Sequence, residues 1–425
     1  MIFGDFMLGA RSRLLPISVP FPFFAAAVLF QVAGWGLLAA FAEEAPGFSG
    51  GPGQILASLH LVTLGVGLMT AMGALFQILP VVTGRPLRSV TVCRVIFGLY
   101  FPGVLALTHG MGHQQVWVME AGAALTVAAI LLFLAQAAAG LRHAGDLGVV
   151  TEHVEIALAC LLFLALLGLS LVADLDRGFL WDHAAVARVH SVVSAYGFMG
   201  LLAAGMSFIL IPMFGLARPA DERTGRYAAW AMIAGVALAV AGLLADENRI
   251  LFPGAIVGLA GLVLHLSVMI EVMRTRMEKT EGPSFLLIRL GWGMMPASVL
   301  VGVTAAAGVA VDGTGPLFGF ILIFGWMLSF VMGVLQRILP FLGAMHTVGG
   351  GRRPLAQSDL TVSSALWLHF AGHVAGLLLA GAGLVIQSGL LVRLGALAGL
   401  AGALAFAGFF LVLCARLWRH LRVPA

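Results

Sequence analysis

Histidine is the residue type most able to carry chemistry in this sequence, because seven of the twelve histidines fall inside long apolar segments. An ionisable side chain is costly in lipid, so a histidine there normally faces the bundle interior and has a partner. These seven are His60, His109, His113, His190, His265, His369 and His373. Neutral imidazole is a common ligand of haem iron, copper and zinc, so the group indicates a metal or haem site. The other five are expected at the membrane interface: His143, His153, His183, His346 and His420.

Two histidine pairs have a spacing that suits a shared metal ion or a cofactor. His109 and His113 in THGMGH, and His369 and His373 in HFAGH, are four residues apart. On a helix this spacing puts both rings on one face, about 5–6 Å apart at Cβ. A single interior histidine is more often hydrogen-bonded than a ligand, but two pairs together favour ligation for the group. His265 has no such neighbour and is expected to be a hydrogen-bonded interior residue.

The composition indicates an integral membrane protein. Of the 425 residues, 61% are hydrophobic and 10% charged, whereas a soluble domain is about 45–50% apolar and about 25% charged. The apolar runs have the length of membrane-spanning helices and not of the strands of an outer-membrane barrel. A soluble enzyme, a nucleic-acid-binding protein and a disulfide scaffold are thereby excluded.

About twelve transmembrane helices are predicted from hydropathy. In chain order, the predicted spans 1 to 12 are Phe21–Phe41, Gln54–Pro80, Thr91–His113, Val116–Leu141, His153–Val172, Ala184–Phe214, Tyr227–Leu244, Leu251–Met273, Phe285–Val311, Pro316–Ala344, Val362–Val385 and Leu390–Arg416. We expect them to form one all-α transmembrane domain over residues 1–425.

Positive residues are distributed unequally between the two sides of the predicted bundle. Of the 23 Lys and Arg residues, only Arg177, Arg188, Arg249 and Arg393 lie on one side, here called the arginine-poor end. The others lie at the termini and in alternate loops, here called the arginine-rich end. Because cytoplasmic loops are enriched in Lys and Arg, both termini are expected in the cytoplasm of a bacterium, with the chain in its inner membrane.

His60 and His190 are expected at a similar depth, about 9 Å below the arginine-poor surface at 1.5 Å per residue. His109 and His113 lie at the same end of span 3, so these four imidazoles are the candidate metal ligands. The pair on span 11, His369 and His373, starts from the opposite surface and adds two candidate cofactor-binding residues. Either there are two sites, or only some of these histidines bind.

One spacing, G-x7-G-x6-P, occurs three times along the chain. The copies are Gly65, Gly73 and Pro80; Gly197, Gly205 and Pro212; and Gly325, Gly333 and Pro340. The prolines are 132 and 128 residues apart, which corresponds to four helices and their loops each time. This predicts three four-helix modules, near residues 15–150, 151–280 and 281–425, related by a pseudo-threefold axis. The residues alone also agree with close helix packing at glycine and helix termination at proline.

Twelve spans in three modules, with a histidine near the outer end of span 2 (HLVTLGVGLMTAMGALFQILPVVTG) and another on span 6 (HSVVSAYGF), resemble the haem-copper oxidase subunit I superfamily. The likeness is greatest to its non-oxidase relatives, the NnrS family and the oxidase-subunit-I-like membrane proteins. The resemblance implies that His60 matches the low-spin haem ligand of the second helix. It also implies that His190 matches the copper-binding histidine of the sixth.

The sequence departs from the oxidase pattern where oxygen is reduced. Oxidases carry an adjacent histidine pair on helix 7 and two haem ligands on helix 10, whereas predicted spans 7 and 10 contain no histidine. The family's tyrosine follows its copper ligand by four residues, whereas Tyr196 follows His190 by six. The resemblance therefore implies an oxygen-reducing centre that is incomplete.

Together these observations predict an oxidase-like membrane protein that binds b-type haem, with copper as a second candidate cofactor. Electron transfer, nitric oxide handling and sensing are the expected functions, with respiratory-chain or electron-transfer proteins as partners besides the lipid bilayer. Whether the chain is an enzyme stays open. Two alternatives also remain: a transporter or assembly factor for haem or copper, and a structural subunit of a respiratory complex.

Overall fold

The computed structural model describes residues 14–83, 87, 89–141, 148–277, 281–309, 312–348 and 353–422. His143, the loop residues Arg85, Arg142 and Arg352, and Val311 at the predicted end of span 9 lie outside these residues. Within the described residues the chain is folded almost wholly into helices.

Twelve helices among the described residues are long and apolar enough to cross a membrane, which confirms the predicted all-α, multi-pass architecture. Spans 1 to 12 are Pro20–Ala40, Gln54–Val81, Val90–His113, Val116–Leu141, Val149–Arg177, His183–Gly215, Glu222–Ala245, Asn248–Arg274, Pro283–Ala306, Thr314–Thr347, Ser363–Val385 and Gly389–Arg422.

Polar caps explain why some spans begin earlier than hydropathy predicts. Asp221 accepts hydrogen bonds from the backbone N–H groups of Arg223 and Thr224, so span 7 begins at Glu222 and not at Tyr227. A cap of this kind satisfies N–H groups that have no partner within the helix. The hydroxyl and backbone N–H of Thr224 also hold the pKa of Asp221 below its usual value.

Spans 2, 6 and 10 each contain a π-helical segment. These segments are Leu61–Leu68, Val193–Gly200 and Ile321–Leu328, and the segment of span 10 packs against those of spans 2 and 6. A π turn widens the helix locally and is frequent at functional sites. The first segment begins directly after His60, and the second begins shortly after His190.

The repeated glycines let each of these three helices pack closely on the span that precedes it. A Cβ on the first glycine of each copy would contact a side chain of span 1, 5 or 9, most tightly in the first copy. The pairs are Gly65 with Phe30, Gly197 with Cys160, and Gly325 with Met294. The second glycines face the same three spans, at Phe23, His153 and Ser284. Close packing at small residues is therefore the physical role of the glycines.

The repeated prolines do not end their helices, so that part of the sequence interpretation is wrong. The helices run on past Pro80 to Thr83, past Pro212 to Gly215 and past Pro340 to Thr347. Proline is tolerated inside membrane helices because neighbouring groups and local adjustments satisfy the freed carbonyls.

One contact joins equivalent positions of the three copies. A Cβ on Gly67 would lie 3.7 Å from the Cε methyl of Met327 and 3.8 Å from that of Met199. These three residues are 132 and 128 positions apart, as the prolines are. The contact supports the three-module organisation, which stays a prediction.

Candidate cofactor site

His60 lies at the point where span 2 changes from α to π geometry. It ends the α-helix Gln54–His60, and its Nδ1 lies 3.0 Å from the carbonyl oxygen of Leu56. Since a carbonyl can only accept, Nδ1 carries the proton and donates. The remaining nitrogen, Nε2, therefore has a free lone pair, which is the form of imidazole that binds a metal.

His190 occupies the corresponding region of span 6. Asp182 caps its helix by accepting from the N–H of Ala185 at 2.9 Å. The Nδ1 atom of His190 is buried and has no hydrogen-bond partner among the described residues. Across from the ring, a Cβ on Gly168 of span 5 would lie only 3.2 Å from Cε1 of His190. Glycine at position 168 therefore makes room for this imidazole.

The two imidazoles face each other between spans 2 and 6. Their ring centroids are 6.4 Å apart and their planes differ by 25°. A metal lies about 2.0–2.1 Å from an imidazole nitrogen that is itself about 1.2 Å from the ring centre, so rings on opposite sides of one metal have centres about 6.4–6.6 Å apart, and rings at a right angle about 4.6 Å. The observed separation lies within the first of these ranges, so these two residues could hold one metal centre such as haem iron.

His109 and His113, by contrast, face away from the bundle interior. Both side chains are exposed, and their ring centroids are 4.5 Å apart with planes tilted by 48°. The four candidate imidazoles of spans 2, 3 and 6 therefore do not form one cluster, because His109 and His113 lie on the exposed face of span 3. They remain close to each other, but neither has a ring contact with His60 or His190 among the described residues.

His369 is fully buried and clamped between two carboxamides. Its Nε2 lies 2.9 Å from Nε2 of Gln31, and its Nδ1 lies 2.9 Å from Nε2 of Gln336. A neutral imidazole has one N–H and one acceptor nitrogen. One carboxamide therefore donates an N–H to the ring, and the other is turned so that its oxygen accepts from the ring N–H. Both ring nitrogens are thereby used, which leaves His369 no lone pair for a metal while this network is intact.

His373 lies one turn further along span 11, with its ring centroid 6.1 Å from that of His369. Its Nε2 is 2.8 Å from the hydroxyl of Ser329, and its Nδ1 is buried without a partner among the described residues. Its ring also packs against Trp35 at 5.9 Å. The span 11 pair thus belongs to a polar network of spans 1, 10 and 11.

Two further buried histidines pack against span 6, and sequence reasoning missed one of them, His153. His153 was expected at the interface, but span 5 begins four residues earlier, at Val149, and buries it completely. Its Nδ1 donates to the carbonyl of Val149 at 2.7 Å. His265 is buried as expected, but its Nδ1 has no hydrogen-bond partner among the described residues. The rings of both histidines pack against Phe208 at 5.8 Å. One sequence signal pointed this way. Gly205 has the same place in its repeat as Gly73, and both glycines pack on the preceding span, where Gly205 contacts His153.

Other polar groups make contacts between spans. The hydroxyls of Tyr196 and Ser298 are 2.7 Å apart, which joins spans 6 and 9 as expected for an isolated polar group in lipid. In the described part of the chain, no three His, Cys, Asp or Glu side chains are grouped closely enough to hold a metal ion. The candidate cofactor site that faces the bundle interior therefore consists of two residues, His60 and His190.

Comparison with known proteins identifies the fold. No model of a known family matches the sequence, and no curated protein sequence matches it. Among solved structures, the chain is similar to a haem-copper terminal oxidase determined as a dimer by cryo-EM, with a TM-score of 0.67 and 13% identity. The match covers 96% of this chain and 85% of that chain.

The chain therefore has the haem-copper oxidase fold, as its resemblance to that superfamily predicts. An identity this low establishes the fold alone. The closer likeness to the NnrS family stays a prediction.

Proposed function

We propose that this chain is a haem-binding protein of the bacterial inner membrane that uses the oxidase fold for electron transfer. The observation that carries the proposal is the pair of His60 and His190, whose 6.4 Å ring separation would let both residues hold one b-type haem. Haem iron, when bound, supplies a one-electron redox couple within the membrane.

The protein's own contribution is to hold both imidazoles in place. The Leu56 carbonyl fixes the tautomer and orientation of His60 through a 3.0 Å hydrogen bond. Such a bond to the second ring nitrogen also raises the basicity of a ligand nitrogen. Gly168 and the cap at Asp182 set the position of His190. Both helices then widen into π segments, directly after His60 and shortly after His190.

Two protein ligands favour electron transfer over the binding of a gas. With both histidines as ligands, a bound haem would supply an electron-transfer couple, whereas nitric oxide handling would need a position that the protein leaves free. His60 would be the more firmly held ligand, because its Nδ1 donates to the Leu56 carbonyl, whereas Nδ1 of His190 has no partner among the described residues.

An incomplete oxygen-reducing centre is part of the same proposal. Spans 7 and 10 have no histidine within Glu222–Ala245 or before His346 in Thr314–Thr347. The span 3 histidines are exposed, and both nitrogens of His369 are engaged. These placements support an electron carrier, and we expect it to work with respiratory-chain proteins. The distribution of Lys and Arg supports an orientation with the arginine-poor end facing outward and both termini in the cytoplasm.

Replacement of the two histidines tests the proposal. Full-length protein from haem-replete cells is purified as wild type and as the His60→Ala, His190→Gly and His109→Ala variants, and spectra are taken oxidised and dithionite-reduced. The His60 and His190 variants should lose haem or show five-coordinate spectra, whereas His109→Ala should match wild type because its ring faces outward. Added imidazole should restore the six-coordinate spectrum of the His190→Gly variant. Unchanged spectra in both interior variants would contradict the assignment.

A further inference from the structure

The exposed histidine pair of span 3 has the geometry of a chelate. His109 and His113 are four residues apart on the helix Val90–His113, and their ring centroids are 4.5 Å apart. This is closer than the 6.4 Å between His60 and His190, because both rings project from one face of one helix. A single ion can therefore contact both imidazoles without a change in the backbone.

The surroundings leave these nitrogens free to bind. His60, His153 and His346 each donate Nδ1–H to the carbonyl four residues earlier. No hydrogen bond or ion pair engages His109 or His113 among the described residues. Their lone pairs are thus not used by the fold, and the side chains are exposed.

The pair lies where water and ions reach the protein. His113 is the last residue of its helix, and Gln114 ends it in the left-handed conformation, at φ 55°. His109 lies about 6 Å deeper at 1.5 Å per residue, which is about the thickness of one headgroup layer. Trp117, with 74% of its surface exposed, lies at the same level, as interfacial tryptophans do. The negative end of the helix dipole also favours a cation here.

We propose that His109 and His113 together bind one divalent late transition-metal ion, of the copper(II) and zinc(II) class, at the arginine-poor surface. Imidazole suits these ions, and copper(II) binds most tightly in the divalent series. Two protein ligands leave the other positions to water, so the ion exchanges readily, as at a capture site and unlike a closed structural site. The site is separate from His60 and His190 and does not rest on haem binding by them.

The test is a metal titration of tag-free, full-length protein that has been treated with chelator. Bound copper(II) and zinc(II) are measured by equilibrium dialysis, and copper(II) coordination is measured by electron paramagnetic resonance. The variants are His109→Ala, His113→Ala and a matched control that keeps two histidines out of register, His113→Ala with Gln114→His. Histidine is among the residues enriched in the left-handed conformation of position 114, so this control should fold.

Wild type should bind one copper(II) with two nitrogen ligands at this pair. Each variant, including the out-of-register control, should bind at least about tenfold more weakly, since even loss of an outer-shell partner costs about 10–100-fold. The circular dichroism spectrum of each variant should match that of wild type and so reports that the variants are folded, and haem absorbance should be unaltered. Equal copper affinity in wild type and the out-of-register control would show adventitious binding only and overturn the site. Loss of haem absorbance from the His109 or His113 variants would likewise overturn it as a separate site.

Discussion

Gly168→Ala provides a graded test of whether His60 and His190 hold the haem, because a methyl group added at position 168 presses on His190 without removing either histidine. In Gly168→Ala, the new Cβ would lie 3.2 Å from Cε1 of His190, whereas unstrained carbon atoms pack at about 3.5–4.0 Å. The imidazole must therefore move by a few tenths of an ångström or more. Overpacking of this kind costs about 1–3 kcal/mol, and the replacement of glycine by alanine in a helix returns about 1 kcal/mol.

The strain falls on the imidazole, so it should appear as weaker ligation by His190. The net cost is therefore up to about 2 kcal/mol, which is a factor of up to about 30 in an equilibrium. We expect haem to dissociate correspondingly more readily and carbon monoxide to reach the reduced iron faster than in wild type. Haem transfer to an apo acceptor protein and flash photolysis measure the two effects.

The matched control is Gly98→Ala in span 3, where an added Cβ meets nothing within 4 Å. It should leave both rates unchanged. If Gly168→Ala and Gly98→Ala behave alike, His190 does not ligate the haem from the position that the structure gives it, and the reasoning is refuted.

Three further predictions follow from packing and hydrogen bonding. Gln336→Leu should lower the free energy of unfolding by about 1–3 kcal/mol, because it leaves a buried nitrogen of His369 unpaired. Thermal unfolding of this variant is compared with that of the exposed control Gln115→Leu, and equal melting temperatures would disprove the hydrogen bonding of His369 by Gln336. Gly333→Ala should destabilise by about 1–3 kcal/mol, since its Cβ would lie 2.7 Å from the backbone oxygen of Ser284; Gly140→Ala, with nothing within 4 Å, should be neutral or stabilising. With a reduced donor, the purified chain should not consume oxygen at oxidase rates; turnover of about hundreds per second in an oxygen electrode would show a complete centre.

The number of spans and the fold class could be predicted from sequence because lipid imposes a simple rule on hydropathy. Twelve apolar runs must be helices, and the structure confirms all twelve among the described residues. Span ends were less predictable, since caps such as Asp221 extend helices beyond their apolar part. The glycine repeat also predicted close helix packing, as Gly65 against Phe30 shows.

The candidate site was only partly predictable, because hydropathy gives the depth of a residue but not the direction of its side chain. Depth correctly grouped His60 with His190, yet it also included His109 and His113, which point outward. The engagement of His369 by Gln31 and Gln336 depends on residues 338 and 33 positions away. No local pattern encodes such contacts, so only the packed structure could show that its nitrogens are occupied.

The most direct test of the account is the coordination state of iron in the wild-type protein. Full-length protein from haem-replete cells is analysed by pyridine haemochrome for haem type and by low-temperature electron paramagnetic resonance for the ligands. The account predicts b-type haem in a six-coordinate, low-spin form with two imidazole ligands, contributed by His60 and His190. A preparation with no Soret absorbance, or with haem whose signal is unchanged when both histidines are replaced, would contradict it.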